Sequence, residues 1–163
     1  SPLPQVAFLC AQQLTRMRDE FLLAELSESV DDLSVPLLCG LGLARGDLAP
    51  PAQVAAAVDE LRASVRPFLS KGQTWRLREA ARALEGEGIK EDSLQLWRQG
   101  VERTAARAGL LLCGDPNVAR ACLLAEERRD GDLPPADKVR QMLAYAVSTP
   151  YLDARRSLGV AIR

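Results

Sequence analysis

The chain contains no histidine, so no imidazole is on hand to bind zinc, and any metal site would have to be built from thiolates and carboxylates alone. No apolar run approaches the roughly 18 residues that read as a membrane-crossing helix, and no signal-peptide pattern opens the sequence. The four cysteines, Cys10, Cys39, Cys113 and Cys122, stand singly with no C-x-x-C pair. Each has apolar neighbours, so buried free thiols are expected rather than a disulfide or a cysteine-rich metal site. Reduced thiols and the missing export signal make the cytoplasm the expected compartment. A formal net charge of −1 leaves no excess of one sign to draw nucleic acid or an anionic membrane, even where Trp75-Arg76 and Trp97-Arg98 place an arginine beside an aromatic.

What is present is helical. At 163 residues the expected organisation is a single compact all-α domain of about eight helices, covering 1–163. The opening Ser1-Pro2-Leu3-Pro4 lacks an initiator methionine, as expected of a C-terminal piece of a longer protein. Eighteen of the 21 basic residues are arginine, a bias that GC-rich coding produces without any functional demand.

A first helix is expected over Pro4 to Ser27, burying Leu3, Ala7, Cys10, Leu14, Met17 and Phe21 at alternating spacings of four and three. A second follows Ser34-Val35-Pro36 and runs to about Arg45, with Gly40 and Gly42 weakening it. Asp47 to Pro51 reads as a loop, and the third helix carries Val54, Val58, Leu61, Val65 and Phe68 at helical spacing. A fourth is expected over Thr74 to Glu85. Glu91 and Asp92 precede the central helix, where the dipole favours them. Helices at Val118 to Arg129, after Pro134-Pro135, and over Tyr151 to Arg163 (with Leu152, Leu158 and Ile162) complete the chain.

The central segment has the strongest pattern. Trp97, Val101, Thr104, Ala105, Ala108, Leu111 and Leu112 fall on one helical stripe, and Gly114-Asp115-Pro116 reads as stop, cap and restart. Glu102 lies about 120° around from Ala108, beyond the edge of that stripe, where a neighbouring helix could still reach it. The order Glu102-x-x-Ala105-x-Arg107-Ala108-Gly109-Leu110, running on to Cys113-Gly114-Asp115, resembles the third-ligand helix of M48 zinc metallopeptidases. There the glutamate completes a zinc site begun by H-E-x-x-H on an earlier helix. The resemblance covers about twenty of the 163 residues, many of them small or apolar as in any buried helix.

By that resemblance Gln12 and Arg16 stand in the two histidine positions, Gln13 in that of the general base, and Ala106 replaces an aspartate that would orient a ligand. Arginine carries no lone pair for zinc, and glutamine cannot act as the carboxylate base for a metal-bound water. The resemblance therefore implies a remnant site, Gln12, Gln13, Arg16, Glu102 and Ala106, with no catalytic residue, no metal and no cofactor. It also implies an ion pair between Arg16 and Glu102 where a metal once sat. On the residues alone, Gln12 and Arg16 read equally as a solvated helix face. The carboxylates Asp19, Glu20, Asp31, Asp32, Glu91 and Asp92 show no spacing that separates acid–base work from helix capping.

The expected function is a non-catalytic interaction or assembly module, resembling degenerate metallopeptidase-like domains that follow tetratricopeptide-type repeats in bacterial proteins. Its partner would be another protein, a peptide segment or upstream repeats of its own chain, with no nucleic acid and no membrane. The alternative is a helical scaffold with no protease ancestry.

Overall fold

Proline and glycine punctuate the sequence, and helices fill the intervals between them. The computed structural model describes residues 2–46, 48–88, 90 and 92–160. Asp47, Glu91 and Ile162, which the sequence reading assigns to a loop, a helix approach and the last helix, lie outside the described residues. Among the described residues the protein is all-α, with nine α-helices and no strand. They are α1 (Leu3–Arg16), α2 (Leu22–Leu26), α3 (Ser34–Arg45), α4 (Ala55–Val65), α5 (Lys71–Glu87), α6 (Ser93–Cys113), α7 (Pro116–Ala125), α8 (Pro135–Ala146) and α9 (Thr149–Ser157).

Several boundaries follow from local chemistry. Gly114 takes a φ of 67° to end α6, a conformation that costs a residue with a Cβ and costs glycine nothing. The Asp115 carboxylate then accepts the N–H groups of Asn117 and Val118, and Pro116 fills the first helical position of α7. Helix α5 starts at Lys71, three residues ahead of the sequence reading. Ser70 and Gln73 form a reciprocal capping box there, which satisfies free N–H groups of the first turn.

Backbone contacts divide the chain into two compact units, Ser1–Glu28 with Gln95–Arg163, and Ser29–Leu94. A single-domain reading of the sequence does not anticipate this division. In the smaller unit α3 packs against α4 and α5, burying Leu33, Cys39, Ala44, Val58 and Ala81. Arg62 reaches across α3, where Nη2 donates to the carbonyls of Leu38 (3.4 Å) and Leu48 (3.0 Å). A Cβ on Gly42 would lie 1.8 Å from that guanidinium. The glycine that weakens α3 as a helix is therefore the residue that lets the arginine lie across it. Phe68, read as part of an inward stripe, is 83% exposed.

The larger unit is built around α6. Phe8, Leu110, Ala119, Leu123 and Met142 form the centre of its hydrophobic core, with α1 against α7, α7 against α8 and α8 against α9. The Arg155 guanidinium closes the C-terminal end of α6. It donates to the Leu111 carbonyl (3.4 Å), the Tyr151 hydroxyl (3.3 Å) and the Val160 carbonyl, and lies 5.6 Å from the centre of the Tyr151 ring.

Two expectations are corrected here. Helix α1 ends at Arg16 rather than running to Ser27. Met17 N–H still bonds back to Gln13 (3.0 Å), but Arg18 N–H bonds to Thr15 (3.2 Å), a tightened last turn that lets the chain swing before α2. The face of α1 that points inward is also the other one: Phe8, Ala11 and Gln12 are buried, whereas Leu3, Leu14 and Met17 are 73%, 69% and 64% exposed. Cys10, expected among the buried thiols, is exposed as well. Helix α1 is apolar on two sides, and the side bearing Phe8 goes in because α6 offers a notch for its ring at Gly109.

A Cβ at Gly109 would stand 2.7 Å from two atoms of the Phe8 ring. Gly109→Ala therefore destabilises the protein by about 1–3 kcal/mol through overpacking, outweighing the roughly 1 kcal/mol that alanine gains over glycine in a helix interior. Gly100 in the same helix has only an ordinary 3.8 Å neighbour, so Gly100→Ala is neutral or stabilising. Urea denaturation of the two variants checks the opposite signs.

Candidate functional site

Glu102 is buried at 8% exposure, contrary to its expected place beyond the edge of the α6 stripe. The inward face of α6 is Arg98, Val101, Glu102, Ala105, Ala106, Gly109 and Leu110, rotated toward Glu102 from the apolar pattern, and Leu112 is left outside. A carboxylate loses several kcal/mol of hydration on burial unless ions or hydrogen bonds replace it, and both replacements are present. One oxygen of Glu102 pairs with the Lys138 ammonium of α8. The other accepts the Leu133 N–H at 2.8 Å.

From this pair a chain of alternating charge runs outward. Lys138 Nζ also lies 3.2 Å from Glu126, just past the end of α7. Glu126 accepts the Gln12 side-chain amide of α1 and lies 3.6 Å from Arg16. Arg16 in turn is 4.0 Å from Glu25 of α2, which pairs with Arg129 at 3.0 Å. Alongside, Arg98 and Asp132 form a second buried pair at 3.0 Å. Arg98 also donates to the Ser27 carbonyl (3.1 Å), and Asp132 accepts the Arg129 N–H (2.9 Å). Gly131, at φ 77°, makes the turn that brings Asp132 and the Leu133 N–H back to α6.

These residues line a cleft of about 310 Å³, whose wall includes Gln13, Arg16, Arg98, Glu102, Glu126 and Lys138. Burial pushes the Glu102 carboxyl above its ordinary range; hydrogen bonds from Lys138 and Leu133 oppose that rise, and the nearby Asp132 charge adds to it. A carboxyl shifted upward in a cleft has the look of a general acid or base. Here each of its oxygens already meets a donor of the protein itself, Lys138 on one side and the Leu133 N–H on the other.

The ion pair expected between Arg16 and Glu102 is not the one that forms. Both side chains face the same cleft, but Arg16 is drawn to Glu126 and Glu25, and Lys138 takes the place opposite Glu102. A compact ammonium fits between two carboxylates, where a planar guanidinium needs a wider fork. Of the other remnant residues, Gln13 is exposed at the cleft wall. Gln12 is buried and spent on Glu126, and Ala106 lies in the hydrophobic core. Gln12, Gln13 and Arg16 thus converge with Glu102 on one region, while Ala106 serves packing.

Sequence reasoning misses Lys138, Glu126, Arg98 and Asp132. One signal was present: Lys138 is one of three lysines among 21 basic residues, where arginine is otherwise the rule. Among the described residues no group of three or more cysteine, aspartate or glutamate side chains is arranged to hold a metal ion, and the cysteines are free thiols. No family model matches the chain, and no curated protein or solved structure matches it. Among the described residues the chain is all-α, and no comparison ties it to a family.

Removing Lys138 leaves a buried carboxylate without its cation. Lys138→Met is therefore destabilising by about 3–5 kcal/mol at neutral pH. Adding Glu102→Gln recovers most of the loss, because no uncompensated charge remains. In the single variant the folded-state carboxyl has a raised affinity for its proton. The folded state then binds more protons than the unfolded state, so stability is highest at low pH and falls as pH rises through the folded pKa. Thermal melts from pH 7 down to pH 5 should show Lys138→Met gaining on the parent protein as the solution is acidified.

Proposed function

We propose that this chain is a non-catalytic helical scaffold, an assembly module that offers helix faces to another protein or a peptide. The observation that supports this most directly is the closed bookkeeping of charge in the cleft. Glu102, Lys138, Glu126, Arg16, Glu25 and Arg129 satisfy one another in sequence, and they come from five different segments of the larger unit. Such a network fixes helix register. A reaction centre, in contrast, keeps a base or nucleophile within reach of substrate.

A second reading has one specific observation in its favour. Gln13, Arg16 and Glu102 meet at one cleft, as they would in a metallopeptidase-like domain that lost its histidines and kept its groove. In that reading the cleft holds a peptide without cutting it, and upstream repeats of the same polypeptide are among its partners. Unpaired thiols fit a reducing compartment such as the cytoplasm.

One experiment separates the readings. The purified chain is incubated with a mixed peptide pool, with and without added zinc, and products are followed by mass spectrometry while retained peptides are recovered by rapid filtration. The scaffold reading expects intact peptides and no retention in the cleft. Retention without cleavage, weakened by Gln13→Ala at the cleft wall, supports the metallopeptidase-derived reading. Reproducible cleavage abolished by Glu102→Gln overturns both.

A further inference from the structure

The outward face of α1 has the spacing of a helix–helix seam. Leu3, the half-buried Ala7, Cys10, Leu14 and Met17, the residue that caps the helix end, alternate steps of four and three, the 3.5-residue period that returns side chains to a single line along a partner helix. Leu14 and Met17 are 69% and 64% exposed, Leu3 is 73% exposed, and Val6 flanks them at 52%; Cys10 is exposed in their midst. No residue from Leu3 to Thr15 carries a charge. The first charge, Arg16, is turned into the cleft.

We propose that this face binds a second copy of the chain, with α1 antiparallel to α1 across a two-fold axis at Cys10. The partner follows from the self-complementarity of the stripe. Cys10 is the midpoint between Leu3 and Met17 and lies half a residue from the midpoint between Ala7 and Leu14. An antiparallel pair therefore sets Leu3 against Met17, and the small Ala7 within one residue's rise, about 1.5 Å, of the large Leu14. A parallel pair would stack Ala7 on Ala7 and Leu14 on Leu14, leaving one level thin and the next crowded. An uncharged seam meets its own copy without like-charge repulsion.

The area is in proportion. Covering all of the exposed stripe would bury at most about 1,000 Å² in the pair, the lower bound for a specific interface. A pair of that size belongs to the weak, reversible class of interfaces. A membrane-surface helix would carry a basic polar face, which α1 lacks. This inference deepens the assembly reading by naming its partner. A chain that proved monomeric would leave the scaffold reading standing, since that reading fails only by cleavage or by peptide capture in the cleft.

Helix axes 8–10 Å apart place facing Cα atoms roughly 3.5–5.5 Å from each other, a span that overlaps the distance a disulfide bridges. The proposal is tested on the whole 163-residue chain. Sedimentation equilibrium under reducing conditions, taken to several hundred micromolar, is expected to show a monomer–dimer equilibrium, weakened at least about tenfold by Leu14→Asp. Circular dichroism verifies that this exposed substitution keeps the fold. With oxidised glutathione the two Cys10 thiols lose two protons and two electrons, which reduce the oxidant to two glutathione thiols, and a dimer linked at Cys10 forms. Cys10→Ser abolishes the link and Leu14→Asp slows it. Direction is read in the Cys10→Ser background: Ala7→Cys and Leu14→Cys chains link to each other when mixed and not to themselves. Self-linking of Leu14→Cys would establish the parallel pair and overturn the proposal. So would a chain that stays monomeric throughout, cross-linking indifferent to Leu14→Asp, or adsorption of the stripe to phosphatidylcholine–phosphatidylglycerol vesicles in place of self-association.

Discussion

A carboxylate held out of water on α6 is the constraint to which the larger unit is fitted. Glu102 cannot be buried there unless α8 brings Lys138 to it and the Asp130–Leu133 turn presents a backbone N–H. Those two requirements place α8 and the end of α7 relative to α6. Lys138 then needs a second counter-charge, which Glu126 supplies, and Glu126 is where α1 arrives through Gln12 and Arg16. The small residues Ala105, Ala106 and Gly109 on the same helix keep the surrounding backbones close enough for these reaches. Packing and electrostatics here are one problem: the notch that accepts Phe8 lies two turns from the carboxylate whose neighbours anchor the same helix.

The helices themselves were legible because their signals are local. Gly114-Asp115-Pro116 declares a stop, a cap and a start within three residues, and the structure uses each in that role. The inward direction was less legible wherever two faces competed. Helix α1 has apolar residues on both sides, and local periodicity favoured the stripe with Leu14 and Met17. The choice was made by Gly109, a hundred residues away, which accommodates Phe8 and leaves that stripe outside. Glu102 was misplaced for the same reason. A charged residue reads as peripheral until its partners are known, and Lys138 and the Leu133 N–H are both about thirty residues distant. Gln13, Arg16 and Glu102 line one cleft, but the cation paired with Glu102 comes from α8 and not from α1.

The preponderance of arginine has a structural use beyond coding bias. Arg98, Arg129, Arg62, Arg78 and Arg155 each donate to a main-chain carbonyl of another segment. Several of these carbonyls belong to helix ends or to the links between helices, where the helix's own ladder of hydrogen bonds runs out. A guanidinium can serve two or three such acceptors at once from a fixed plane. In both units it ties helices together by their backbones, so the apolar core can be modest and built largely of alanine and leucine.

Arg155 carries that habit to its extreme, and it has a mechanical consequence. Its guanidinium grips the end of α6, the ring of Tyr151 and the carbonyl of Val160 at the same time. A pull at Val160 is thus carried past α9 directly to the helix that holds Glu102. Traction on Val160 therefore loads the centre of the larger unit along with its periphery.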